Sequence, residues 1–249
     1  ELKDQKNNIF SFLKAQGFKS TSERLKSNSF INSITEEEKY INNNEPKYIL
    51  INSKKEFEIV LKEIEKKGFC AIDTETNSLN IEKAILVGVS LCCDENKSYY
   101  IPINHQSHIS DKKTLNQLEE NYVIEKINSI CSSESILKIG QNIKYDMRIL
   151  NKYGVTFKSI ADTMLISYSL DNGIYKHNLD DLSFNHLNHT TIKYKEVVGT
   201  GKNEITFDKV SIENAVNYAA EDSLLTLKLF LNLYPRLVRE RGNFVYSNI

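Results

Sequence analysis

The period of the apolar positions changes repeatedly between residues 48 and 234, and each change marks an element. Residues 48–52 form a short apolar run that reads as a strand. Over residues 56–67 the apolar side chains fall at Phe57, Val60, Leu61 and Ile64, the spacing of one helix face. Residues 69–73 are a short continuous apolar run, as in a buried strand. Residues 85–93 and 98–103 predict two more strands, with Asp94-Glu95-Asn96-Lys97 as the turn between them. A helix is expected over 114–131, a strand over 136–139, and a helix over 145–153 that Gly154 stops. Residues 162–170 and 179–187 read as helices. Ser211 is a candidate N-cap for a last helix running to about residue 234, ahead of Pro235.

Three strands, then helix, strand and helix with a long helical tail, is the order of a mixed β-sheet flanked by α-helices. The expected fold is therefore α/β with RNase H-like architecture. Residues 1–46 differ from the rest. Ile9, Phe10, Phe12 and Leu13 form one apolar cluster that suits a single helix, and a polar, charge-rich stretch follows, ending in Asn42-Asn43-Asn44-Glu45-Pro46. This reads as a linker carrying a small packed remnant, with the main domain over residues 47–249.

Composition adds limits. A chain of 249 residues buries roughly 70–75% of its unfolded surface, so its core needs no disulfide staples. Cys70, Cys92, Cys93 and Cys131 lack a CxxC spacing and read as reduced core thiols, which fits a cytoplasmic protein. No apolar run approaches the ~20 residues of a membrane span, and no signal peptide is expected. The net charge of −1 gives no basic footprint of the usual nucleic-acid-binding kind. Carboxylates that hold metal change that balance: setting four aside takes −1 to +3.

Three strings carry candidate chemistry. Asp73 and Glu75 lie two apart at the end of a predicted strand, so both side chains share one face. Two acids so close repel, and a cation between them removes that cost; an all-oxygen site favours Mg²⁺ or Mn²⁺. Acids make up 33 of the 249 residues, so one such pair alone is weak evidence. Tyr218 and Asp222 are spaced i, i+4 in a predicted helix and project from one face. Asn142 and Asp146 have the same spacing at a helix start, where Asn142 also suits a plain N-cap.

With these strings in order, the chain resembles the 3′–5′ proofreading exonuclease domain of bacterial DNA polymerase I, within the DEDD exonuclease superfamily. The likeness extends through residues 71–79, 138–146, 162–165, 201–207 and 218–222 and covers roughly residues 47–249. Tyr218 stands four residues before Asp222 and position 217 is Asn, not His, so the chain resembles the tyrosine subtype. The resemblance implies Asp73, Glu75, Asp146 and Asp222 as ligands of two divalent cations, Mg²⁺ with Mn²⁺ able to substitute. Tyr218 and Glu75 would orient the attacking water. It implies Thr74, Thr76, Leu79, Gln141, Asn142, Tyr145, Lys176 and Phe207 as substrate-binding residues, with Leu79 and Phe207 as stacking surfaces. Lys176 stands where the family usually has Arg, which costs the bidentate fork.

The implied substrate is a single-stranded or frayed DNA 3′ end and the products are 5′-mononucleotides. A monomer is expected, with the tail of a 5′-nuclease region over residues 1–46 and a polymerase domain beyond Ile249. Two other readings stay open: an RNase D-like or Werner-like exonuclease acting on RNA, and a silent structural module of a polymerase. Gly199-Thr-Gly201-Lys202 lacks the spacing and Ser/Thr of a phosphate loop. The five histidines show no metal-ligand spacing.

Overall fold

The computed structural model describes residues 46–106 and 116–248. The apolar cluster near residue 9, most of the expected linker and residues 114–115 of the helix expected over 114–131 lie outside the described residues; that helix itself begins only at Glu120, with residues 116–119 non-helical ahead of it. The elements run β1 (Lys47–Leu50), α1 (Lys54–Lys67), β2 (Phe69–Thr76), β3 (Leu86–Asp94), β4 (Lys97–Pro102), α2 (Glu120–Cys131), β5 (Leu137–Gly140) and α3 (Ile143–Asn151). Then follow β6 (Ile160–Asp162), α4 (Thr163–Asp171), α5 (Leu179–Leu182) with a π-helical turn (Ser183–Leu187), α6 (Tyr194–Val198), α7 (Ile212–Arg239) and α8 (Asn243–Tyr246).

The six strands form one sheet in the order β1-β4-β3-β2-β5-β6. Strands β2, β3 and β4 are an antiparallel meander. Strand β5 pairs parallel to β2, β6 parallel to β5, and β1 parallel to β4. On one face Phe57 and Ile64 of α1, Val123 and Ile127 of α2 and Ile149 of α3 pack with Cys70 and Ile72 of β2. On the other, Leu224, Leu227 and Leu233 of α7 and Ile166 of α4 pack with Ala71. This mixed sheet with helices on both faces is the architecture expected from the element order.

Local signals place the helix that leads into β2. Ser53 Oγ accepts from Glu56 N at 3.3 Å and caps α1. Gly68 ends it at φ 73°, a left-handed conformation that glycine takes without strain, and its N–H returns to Ile64 O. The strand carrying the acids begins at the next residue.

Four further expectations need correction. Strand β2 continues past residue 73 to Thr76, because β-branched Thr74 and Thr76 keep their pairing with Val89 and Leu86. The helix expected over 179–187 changes to a π-helical turn at Ser183. Helix α7 runs through Pro235 to Arg239. Pro235 lies on the exposed side of that helix, while Leu237 is buried and the Arg236 guanidinium forks onto both Asp171 oxygens at 2.9 Å, so tertiary contacts outweigh one missing N–H. Strand β6, at three residues, and α6, at five, are too short to show a period and were not expected.

Candidate active site

Alternation along β2 sends Ala71 into the face covered by α7, and Asp73 and Glu75 follow it there. Helix α7 brings Tyr218 and Asp222 to the same place. Its N-terminus is capped by Ser211 Oγ, and Ala215, Ala219 and Ala220 are buried, letting the backbone approach the sheet closely. Asp73, Glu75 and Asp222 each contribute a carboxylate oxygen to a group whose atoms all lie within 4.8 Å of one another. Asp146 comes from α3. Its Oδ1 accepts from Thr74 N at 2.9 Å and from Thr74 Oγ1 at 2.6 Å, which fixes it beside Asp73.

Among the described residues, no side-chain cation pairs with any of these four buried carboxylates. Burial pushes the Asp73 and Glu75 carboxyls well above the ordinary range, and the neighbouring acids push them further. Burial raises Asp222 to about 8, Glu221 adding to the shift and a hydrogen bond from Tyr218 opposing it. Burial raises Asp146 to about 7 against the two bonds from Thr74. The Tyr218 hydroxyl is held protonated, by burial first and Asp222 next. Glu75 Oε1 is buried without a hydrogen-bond partner. An orphaned carboxylate oxygen within a converging, cation-free acid cluster fits one or more hard divalent cations.

Glu221, beside Asp222, is turned away from the cluster. It accepts from His189 Nε2 at 2.8 Å and from Ile192 N at 2.6 Å, and so ties the segment before α6 to α7. Behind Glu75, strand β3 carries Gly88 directly opposite. A Cβ at Gly88 would stand 2.2 Å from the Tyr100 hydroxyl, so only glycine lets that ring lie across the strand. The Tyr100 hydroxyl bonds His105 Nε2 at 2.8 Å, and His105 Nδ1 lies 3.0 Å from Val210 O.

The residues expected to bind substrate separate into two groups. Leu79, 89% exposed, Asn142 and Lys176 are open to solvent. The rest are largely spent on the protein itself. Thr74 is buried and gives both its donors to Asp146, so it positions that carboxylate and has no hydroxyl left for a substrate. The Thr76 hydroxyl bonds Tyr145 Oη at 2.7 Å and Ser78 O at 3.1 Å, engaging both residues. Gln141 donates to His177 O and accepts from Thr163 Oγ1.

Phe207 is the clear correction. It is fully buried, in contact with the rings of His105, Tyr194 and Tyr218, and offers no face for stacking. The exposed aromatic at this place is Tyr194, which sequence reasoning missed. Its ring lies parallel to Phe207, 6.4 Å away at 11°, and edge-on to Tyr218 at 6.0 Å. No period or motif marks it; its one sequence signal is an aromatic in the segment leading up to the Gly199 turn.

All four cysteines are buried and free, and burial raises their thiols, Cys92 and Cys131 to about 12. Among the described residues no helix is long and apolar enough to cross a membrane.

Fold and acid cluster together define an enzyme of the RNase H-like class that acts on phosphodiester bonds. The chain belongs to the 3′–5′ exonuclease family, whose model matches residues 48–238. Among its relatives, DNA polymerase I of Rhizobium leguminosarum is 40% identical over 195 residues, covering 73% of this chain and 19% of that protein. DNA polymerase I of Pseudomonas aeruginosa is 35% identical over 184 residues, covering 73% of this chain and 20% of that protein. The chain thus spans about a fifth of the length of these relatives. Among solved structures, Brucella melitensis NrnC with bound Mg²⁺ superposes with a TM-score of 0.54 at 21% identity, over 74% of this chain and 83% of that one. The catalytic core of RRP6 from Trypanosoma brucei gives 0.62 at 14% identity, over 84% and 52%. At those identities the likeness establishes the fold alone.

Proposed function

We propose that this domain removes 5′-mononucleotides from a single-stranded or frayed DNA 3′ end, as the proofreading part of a DNA polymerase I. The observation that carries this reading is the cluster of Asp73, Glu75 and Asp222 oxygens within 4.8 Å, with Asp146 beside it and Glu75 Oε1 unpartnered. Asp73, Glu75, Asp146 and Asp222 would hold two divalent cations, Mg²⁺ or Mn²⁺. When bound, these supply Lewis-acid stabilisation of the phosphoryl oxygens and lower the pKa of water.

The side chains have defined tasks. One Glu75 oxygen would meet the cation while the other accepts a hydrogen bond from the attacking water, and the Tyr218 hydroxyl, protonated at neutral pH, fixes its direction. The water oxygen bonds to the terminal phosphorus as the bond from phosphorus to the 3′-oxygen breaks, and that oxygen leaves with a proton. Exposed Leu79 and half-exposed Tyr194 grip the terminal base, and Asn142 and Lys176 meet the strand. Stacking does not read sequence, so selectivity follows the lower unpairing cost of mismatched ends.

The test is a gel assay on a 5′-labelled primer with a 3′ mismatch, in Mg²⁺, with EDTA and the Asp73→Ala chain as controls. Stepwise shortening that both controls abolish is expected. Equal degradation by the Asp73→Ala chain, or in EDTA, sinks the proposal. A matched RNA strand degraded faster than DNA favours the RNA-processing reading, and no shortening with any metal favours a silent module.

A further inference from the structure

Asn142 holds a conformation that few residues other than glycine and asparagine adopt. Its backbone is left-handed, at φ 60° and ψ 45°, and its side chain makes no capping bond to α3. A partner across the sheet holds it there. Asn142 N donates to Asp162 Oδ1 and Ile143 N to Asp162 Oδ2, both at 3.0 Å. The same carboxylate caps a second helix, with Oδ1 accepting from Met164 N at 2.9 Å and Leu165 N at 3.4 Å. Asp162 is 5% exposed and pairs with Gly140, two residues before Asn142. One buried carboxylate therefore closes the N-termini of α3 and α4 together.

We infer that Asp162 is a positioning residue for the nuclease reaction: it locks Asn142 in the left-handed conformation that leaves its carboxamide free to meet the DNA strand. This rests on the proposed reading that Asn142 contacts substrate. The effect falls on binding more than on chemistry. Asp146, one turn further along α3, has its own anchor in the two bonds from Thr74, whereas the left-handed Asn142 backbone is fastened through Asp162. Without that acceptor the residue relaxes toward an ordinary conformation and swings its amide away.

The test separates this role from ordinary capping. In Asp162→Ser the hydroxyl still caps α4 but is one bond too short to span both helices. Steady-state turnover of the 249-residue chain on a labelled single-stranded oligodeoxynucleotide in Mg²⁺ should show KM raised about tenfold, the size of one lost hydrogen bond, with kcat within about twofold. Asn142→Ala should do the same, and the double variant should be no worse than Asn142→Ala alone. Asp162→Asn, which keeps one acceptor oxygen, should recover most of the loss. If Asp162→Ser fails to fold, the cycle of Asp162→Thr with Asn142→Ala reads the same non-additivity, since Thr keeps the short capping hydroxyl and suits the end of strand β6. Two effects that multiply, or a lower kcat at unchanged KM, overturn the role of Asp162. An unchanged KM in Asn142→Ala instead overturns the reading of Asn142 as a substrate contact, and the inference falls with it.

Discussion

The acid cluster should make the metal-free chain less stable as pH rises, and metal should reverse that loss. Asp146 is held near 7 and Asp222 near 8, with Asp73 and Glu75 also raised. A carboxyl whose folded pKa lies above its unfolded value keeps its proton longer in the folded chain. Stability is then full below about pH 4 and falls as pH climbs toward the folded values. From pH 5 to 7 one such group costs about 3 kcal/mol, at about 1.4 kcal/mol per pH unit. For a domain of about 200 residues that lowers Tm by about 6–12 °C. Buried Asp162, whose pKa burial also raises, adds a loss of the same sign, but it lies outside the acid cluster and metal does not reverse it. Asp171, where burial is outweighed by Arg236 and Tyr175 so that its pKa is lowered, contributes a stability already complete above about pH 4 and lost only as pH falls further, and buried His105, whose pKa is lowered, gains stability as pH rises toward 6.5. The clean quantity is therefore the Tm difference between Mn²⁺ and EDTA, read by differential scanning fluorimetry at pH 5 and 8. Mn²⁺ at a hundredfold over its Kd restores about 3 kcal/mol, most of it visible only at the higher pH. The Asp222→Asn chain should be more stable than wild type in EDTA at pH 8. An equal metal shift at both pH values, or an Asp222→Asn chain that melts lower, would refute the reasoning.

Asp73→Ala should lower kcat by roughly 10³-fold, about 4 kcal/mol in the barrier, with near-native circular dichroism; single-turnover kinetics measure it, and Tyr218→Phe should lose less. Thr74→Val removes the 2.6 Å bond to Asp146 but keeps the backbone N–H bond, so kcat should fall about tenfold with KM little changed in the same assay. Gly88→Ala sets a Cβ 2.2 Å from the Tyr100 hydroxyl and should cost about 1–3 kcal/mol of stability by urea unfolding, together with activity lost as β3 shifts behind Glu75.

What could be read from the sequence was local. The shared face of Asp73 and Glu75 follows from a period of two, and that of Tyr218 and Asp222 from a turn of helix; both needed only their neighbours in the chain. The expected sheet and its order of elements survive for the same reason. What could not be read depends on remote partners. Thr74 is claimed by Asp146, 72 positions away, so its hydroxyl serves a ligand's geometry and not a substrate. Pro235 sits in an unbroken helix because Asp171, 65 positions earlier, grips Arg236.

The exchange between Phe207 and Tyr194 shows how far such remoteness reaches into the site. In a polar stretch both aromatics look equally available, and burial decides between them. Phe207 follows Thr206 into a one-turn helix whose contacts with His105 and Tyr218 enclose its ring. Tyr194 opens α6, where the bonds from Glu221 to His189 and Ile192 hold the preceding segment against α7. Its ring thus rests on Phe207 with the other side outward, edge-on to Tyr218. The buried ring is the floor and the half-exposed ring the platform. Tyr194→Ala should therefore raise KM for single-stranded DNA through lost stacking, about 1–3 kcal/mol. Phe207→Ala should instead lower Tm and disturb kcat through Tyr218. Matching KM effects from both substitutions, with Tm unchanged, would return Phe207 to the surface and refute the division.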